Sequence, residues 1–220
     1  METRLLEDGT VGADDWRGGD GPLVLERGPA ANPLFAAFFA AVQEAGYPLT
    51  DDVNGYRQEG FARFDRNLHR GRRLSAARAY LHPVRYRKNL TVETLAMATQ
   101  VRFSTTGGVK RAVGVDYLRG GRLRRTADAG EVILCGGAIN TPQLLQLSGV
   151  GDEALLQEQG VPVVQHLPGV GENLQDHLEV YVQYGSKRPV SVAPALKWRN
   201  RPSVAVRWAI GRSMFGSSRA

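Results

Sequence analysis

The hydrophobic pattern changes character several times along the chain. Residues 9–29 mix glycine, proline and polar residues and predict a loop. A helix follows. Asn32 is a good N-cap, Pro33 suits the first helical position, and the body LFAAFFAAVQEA ends at Gly46, where a terminating glycine belongs. Residues 47–62 return to loop, with Asn54-Gly55 as a turn. From Ser75 the segment AARAYL predicts a short helix that His82-Pro83 ends, because the residue before proline avoids helical angles. Residues 89–103 predict two short strands, and KRAVGVDYL predicts another. Gly107-Gly108 and Gly120-Gly121 are turns, and RLRRTAD continues the pattern. Together they read as an antiparallel meander.

The run Glu131-Val132-Ile133-Leu134-Cys135 is continuously apolar after its first residue, as in a strand buried on both faces. Cys135 then reads as a small core residue. Gly136-Gly137 ends the run. A helix is predicted next, with Thr141 as cap, Pro142 at its first position and QLLQLS as its body, closed by Gly149 and Gly151. Asp152 caps a second helix, EALLQEQ, which stops at Gly160. Residues 161–164 read as a strand and 165–178 as a glycine-punctuated loop. Residues 179–184 alternate as a half-buried strand does. Beyond Ser186 the pattern weakens.

The strand, glycine pair and helix around Gly136 and Gly137 are the first candidate chemistry. Glycine lets a ligand approach the backbone, and a helix start offers free N–H groups and a positive dipole end. That suits a dinucleotide or its pyrophosphate. A tight packing turn is the equal alternative from this stretch alone. No GxGxxG phosphate loop occurs in the chain.

Composition narrows the class. The 220 residues are 42% hydrophobic, enough for a sizeable core, which excludes disorder by composition. One cysteine excludes an internal disulfide framework. No run of about 18 apolar residues exists, so no membrane-spanning helix is expected. The N-terminus lacks the basic-then-apolar order of a signal peptide, and a cytoplasmic setting is the default. Charge is sorted along the chain. Residues 1–62 carry 4 basic and 11 acidic side chains, residues 63–88 carry 9 and 1, and residues 187–220 carry 8 and none. Such basic stretches suit nucleic acid, an anionic membrane surface or a phosphate-bearing cofactor. The stretch 63–88 matches no nucleic-acid-binding signature, so nucleic acid is not expected as a partner. His69, His82, His166 and His177 have no partner at metal-ligand spacing, and no metal site is expected. Ser148 lacks the G-x-S-x-G setting of a nucleophile.

Longer strings carry a family resemblance. GAINTPQLLQLSGVG (137–151) and LPGVGENLQDH (167–177) resemble the second signature and a downstream loop of the glucose–methanol–choline (GMC) oxidoreductases. WRGGDGP (16–22), NGYRQEGF (54–61) and GRRLSAARAYL (71–81) also look like family segments. Within the family, DHLEVYVQY (176–184), with Pro189-Val190-Ser191 and Pro194 to Trp198, is similar to the choline-oxidising branch.

The resemblance implies an α/β fold. It consists of a partial, Rossmann-like FAD-binding domain with a β-meander, plus the start of an antiparallel α+β substrate domain. Residues 1–85 become interdomain loop and helical segments, 86–165 a segment of the FAD-binding domain, and 166–220 the start of the substrate domain. FAD is the implied cofactor, passing Gly136 and Gly137, with Ala98 touching the adenine through its backbone. Choline is the implied alcohol, with Glu179 facing its trimethylammonium head; glycine betaine synthesis is the implied context. His177 is implied to make a structural hydrogen bond near the flavin. The family's Gly-rich FAD loop and catalytic histidine segment have no counterpart in this sequence. The expectation is therefore an internal fragment with no catalytic residue of its own, marginal solubility and weak flavin binding. Its membrane periphery and electron-acceptor contacts stay open. A family enzyme for another alcohol, or a non-catalytic remnant that binds a partner, are the alternatives.

Overall fold

The computed structural model describes residues 2–6, 9–127, 129–185, 187–188, 190 and 197–211. Of the sequence expectations, Asp128, Pro189, Ser191, the 194–196 part of the resemblance and the tail 212–220 lie outside these residues. The chain divides into two compact units, Met1–Thr91 with Val182–Ala220, and Val92–Tyr181.

In the first unit, β1 (Glu2–Leu5), β2 (Leu23–Arg27) and β3 (Asp65–Arg66) form a sheet in that order. β1 and β2 are parallel, and β2 and β3 antiparallel. β2 lies inside the stretch expected to be loop. Its alternation turns Leu25 into the core, and that burial outweighs the glycines around it. Helix α1 (Pro33–Glu44) forms as expected, with Asn32 Oδ1 accepting the Leu34 N–H at 2.9 Å. Val42 is its buried residue. Phe38 meets Phe61 edge to face, and Tyr47 meets the same ring. A hairpin of β4 (Leu68–His69) and β5 (Arg72–Arg73) follows. The helix expected from Ser75 is a widened π turn, Ala77–Leu81, that tightens into a 3-10 turn at His82–Val84. His82-Pro83 thus tightens the helix before ending it, Pro83 being tolerated in a first turn.

Charge organises the interior of this unit. Arg4 on β1 is 5% exposed. Its Nε lies 3.0 Å from Asp65, and its Nη1 lies 3.4 Å from Asp52 and 3.7 Å from Asp14. Arg17 grips Asp52 with two hydrogen bonds, 2.7 and 2.9 Å, and reaches Glu2 at 3.1 Å. Arg27 donates to Asp65 at 3.1 Å. Strands β1, β2 and β3 and the loops through Asp14 and Asp52 are thereby fastened to one another.

In the second unit, β6 (Ala96–Thr106), β7 (Val109–Arg119) and β8 (Arg122–Arg125) form the expected antiparallel meander. One long strand replaces the two expected near 89–103. It is irregular after Ala98 and after Arg102, and such bulges let a strand bend without stopping. Asp116 accepts 2.9 and 3.1 Å hydrogen bonds from Arg125, with Arg102 at 3.4 Å. This pairing holds its carboxyl below the usual range, the Arg125 hydrogen bonds being the main cause. Then come α2 (Gly137–Leu147), β9 (Val150–Gly151), α3 (Glu153–Glu158) and β10 (Gln165–His166). β9 and β10 pair in parallel. The strand expected at 161–164 is displaced to 165–166, because the Gly149 carbonyl takes the N–H groups of both Val164 and Gln165.

Two expected strands do not form. Residues 131–135 are extended but unpaired among the described residues, and Cys135 is exposed rather than core. Residues 179–184 are likewise unpaired, with Val180, Tyr181 and Val182 exposed. An apolar run becomes a buried strand only between neighbouring strands, and the described residues supply none.

Among the described residues, β6 has a neighbouring strand on one side, β7. On its other side the Val101 N–H is taken by Ser148 Oγ at 2.8 Å, and that hydroxyl donates to Leu144 O at 2.5 Å. Ser148 and Val101 are both buried. Ser148 therefore works as a bolt between α2 and the meander.

Two outcomes follow from these contacts. Asp52 is held at about 2, chiefly by the Arg17 hydrogen bonds. A depressed carboxylate stabilises the fold fully above its unfolded value, 3.8, and loses that contribution as pH falls toward about 2. The contribution is on the order of 2 kcal/mol. Urea unfolding across that window reads the loss, to which Asp116 also contributes, and Asp52→Asn reduces this pH dependence while lowering stability at neutral pH by about 3–5 kcal/mol. Ser148→Ala leaves the Val101 N–H buried without a partner and costs about 1–3 kcal/mol, measured as a shift in urea midpoint.

Candidate functional site

The candidate site is built around α2. The helix begins at Gly137, four residues before the expected Thr141 cap, and Pro142 sits inside it. Pro142 has no N–H for the carbonyl of Ala138, which loosens the first turns. Gly136 is the N-cap and has no side chain with which to cap. In contrast, α1 and α3 are capped by Asn32 and Asp152. The first amides of α2 thus stay available to an outside acceptor.

Backbone conformation calls for glycine at 137, and close packing favours it at 136. Gly137 has φ +85°, a left-handed conformation, and a Cβ placed there would meet nothing within 4 Å. A Cβ on Gly136 would press at 3.2 Å on Asn140 and Thr141. The result is a bare backbone corner facing open space at a helix start.

Gln146, on the same helix, joins the two family-like motifs. Its Nε2 donates to Val170 O at 3.1 Å, in the 167–177 loop. Cβ atoms on Gly151 and Gly171 would stand 3.1 and 3.0 Å from the Gln146 side chain. These glycines leave room for that amide. The loop is also tied by Leu167 N–H to Gly151 O at 2.8 Å. His166 Nδ1 accepts the Glu153 N–H at 3.0 Å, at the start of α3.

Of the sequence-derived residues, Gly136, Gly137 and Ala98 share the α2–β6 body. Ala98 is exposed and lies just before the first irregularity of β6, opposite Tyr117. The Ser148–Val101 bolt holds the C-terminal end of α2 near that part of β6. The glycine corner is at the other end, roughly 16 Å away by the helical rise. Glu179 stands on the exposed extended segment after the loop, where the Tyr181 hydroxyl donates to it; this contact raises the Tyr181 pKa. His177 is exposed, and its N–H bonds the Asp176 side chain at 2.8 Å. Sequence reasoning missed Gln146 and the structural role of Ser148. The one available signal was their place in the last turn of a predicted helix that ends at Gly149, φ +84°.

Comparison with known proteins places this arrangement. The family model described as GMC oxidoreductase matches residues 14–179. An oxygen-dependent choline dehydrogenase of Staphylococcus aureus strain Newman is 55% identical over 205 residues, and the N315 strain gives the same figures. The match covers 93% of this chain and 35% of the relative, so the chain spans about a third of the length of these curated relatives. An FAD-dependent oxidoreductase from Chaetomium thermophilum shares the fold with TM-score 0.79 at 24% identity, over 96% of this chain and 38% of that one. A fungal aryl-alcohol oxidase gives TM-score 0.71 at 26% identity, over 87% and 33%. The chain belongs to the GMC oxidoreductase family.

Removing the Gln146 amide frees the loop it holds. Gln146→Ala is expected to speed amide hydrogen exchange in residues 167–173 and to cost about 1 kcal/mol of stability. Unchanged exchange in that loop would show that Gln146 does not fasten it.

Proposed function

We propose that this chain supplies cofactor-contacting and substrate-facing segments of an FAD-dependent alcohol dehydrogenase acting on choline. The observation that carries this reading is the 55% identity to choline dehydrogenase over 205 residues. The α2 corner fits the cofactor: an uncapped helix start, a left-handed glycine and open space beside it accept a pyrophosphate. In this reading Gly136 and Gly137 pass the dinucleotide, and Ala98, at the far end of α2, meets the adenine through its backbone. An extended dinucleotide is long enough to serve both ends. When bound, FAD supplies the hydride acceptor for oxidation of the alcohol to betaine aldehyde.

Glu179 binds the substrate's trimethylammonium group. A quaternary ammonium has no N–H to donate, so negative charge and aromatic faces hold it. No residue of this chain is assigned the removal of the hydroxyl proton. Residues 1–85, 86–165 and 166–220 then correspond to interdomain segments, FAD-domain segment and start of the substrate domain.

The test places this chain in the full-length S. aureus relative, in exchange for the matching segment. The chimera is expected to retain FAD and oxidise choline. Glu179→Gln in it is expected to raise the choline KM about tenfold or more with flavin content unchanged. Unchanged KM and kcat would refute the ammonium role. Gly137→Val is expected to strip flavin absorbance from the same chimera; full retention would refute the cofactor assignment.

A further inference from the structure

Glu179 has a neighbour whose chemistry bears on its own. Tyr181 lies two residues further along, the spacing that sets two side chains on the same face of an extended chain. Its hydroxyl donates a hydrogen bond to the Glu179 carboxylate. Val180, between them, falls on the opposite face by the same alternation. The segment is unpaired among the described residues, so no ladder of backbone hydrogen bonds steadies it. A glutamate on such a segment gives up rotamer freedom when it binds a ligand. A side chain that holds it beforehand lowers that cost.

The kind of partner matters. A lysine or arginine would orient the carboxylate and also neutralise it, in competition with a cationic substrate. A phenol is a neutral donor. It takes one acceptor position of the carboxylate and leaves the negative charge in place. It also brings an aromatic ring to within a hydrogen bond of that charge. A carboxylate and a ring face are the two groups that attract a quaternary ammonium. The Tyr181 ring is 75% exposed, so its faces are open to a ligand.

We propose that Tyr181 is a positioning and specificity residue: its hydroxyl holds the Glu179 carboxylate toward the substrate's ammonium group, and its ring lines the same place. This inference rests on the choline reading of Glu179 and deepens it. Without the hydroxyl the charge remains but swings free. The effect therefore falls on a charged alcohol and spares an uncharged one of the same shape.

The flavin-loaded chimera tests this with two alcohols, choline and the uncharged analogue in which a tert-butyl group replaces the trimethylammonium group. Tyr181→Phe is expected to raise the choline KM about fivefold. Tyr181→Leu, which also removes the ring, is expected to raise it about tenfold or more. Choline kcat, flavin content and kinetics on the uncharged analogue are expected to stay unchanged. Tyr181→Phe combined with Glu179→Gln is expected to be no worse than Glu179→Gln alone, since the hydroxyl acts through that carboxylate. An equal loss on both alcohols would mark a merely structural effect and overturn the proposal. So would an unchanged choline KM in Tyr181→Phe while Glu179→Gln raises it, a result that leaves Glu179 as the ammonium site. An unchanged KM in Glu179→Gln would overturn the reading of Glu179, and this inference with it. A second measurement needs no flavin. In the chain by itself the Tyr181 phenol, followed by NMR, is expected to ionise at lower pH after Glu179→Gln, because the charged acceptor is gone. An unchanged titration would show that the two side chains do not meet and would overturn the proposal.

Discussion

Burying Arg4 sets the terms for the first unit. A guanidinium taken out of water costs several kcal/mol unless carboxylates and hydrogen bonds replace its hydration. Asp65, Asp52 and Asp14 answer that demand by charge, as ion pairs at 3.0–3.7 Å, and each arrives on a different piece of chain. Arg17 and Arg27 then balance the carboxylates that Arg4 does not satisfy. A set of this kind adds less net stability than a well-packed apolar core of the same volume. Its effect is on specificity, because a shifted loop would strand a buried charge. The same network ties Asp52, and with it the 47–62 loop, to β1.

The second unit is governed by backbone amides at a sheet edge. β6 offers polar groups on the side that β7 does not cover, and Ser148 satisfies one of them from the end of α2. That single hydroxyl fixes where the helix ends against the meander. Gln146, half a turn earlier, fixes where the 167–177 loop lies against the helix. One helix therefore presents the glycine corner at its start and holds meander and loop near its end. This is why the GMC motifs, apart in sequence, are one object in space.

What was legible in the sequence was local. The caps of α1 and α3 and the glycine turns of the meander depend on residues within a few positions of each other, and each forms as read. β2 was hidden because glycine density on both sides outweighed a five-residue alternation. The ion network was illegible, since arginines at 4, 17 and 27 and aspartates at 52 and 65 each look like solvated surface charges. The runs at 131–135 and 179–184 have the composition of strands but no partner strand among the described residues. Composition states what a segment can bury, and pairing decides whether it does. Gly136 and Gly137 were legible from the strand–glycine–helix pattern as one of two equal readings, whereas Ala98 and Glu179 were legible only through the family resemblance. The structure adds reasons for the two glycines that the resemblance could not supply.

The distribution of charge follows from the same ion network. Residues 63–88 contain a single acidic residue, Asp65, and it points inward to Arg4 and Arg27. Glu2, Asp14 and Asp52 are likewise engaged with Arg4 and Arg17. The carboxylates that neutralise the interior are therefore unavailable to the hairpin that follows β3. Glu26 reaches the hairpin, but it bonds the backbone N–H of Arg70. The arginines at the tip keep their side chains in solvent, and Trp208 adds to them a helix with no acidic residue of its own. Satisfying the buried arginines thus places Glu2, Asp14, Asp52 and Asp65 away from the hairpin, and among the described residues its arginines have no acidic neighbour within residues 63–88 other than the inward-turned Asp65.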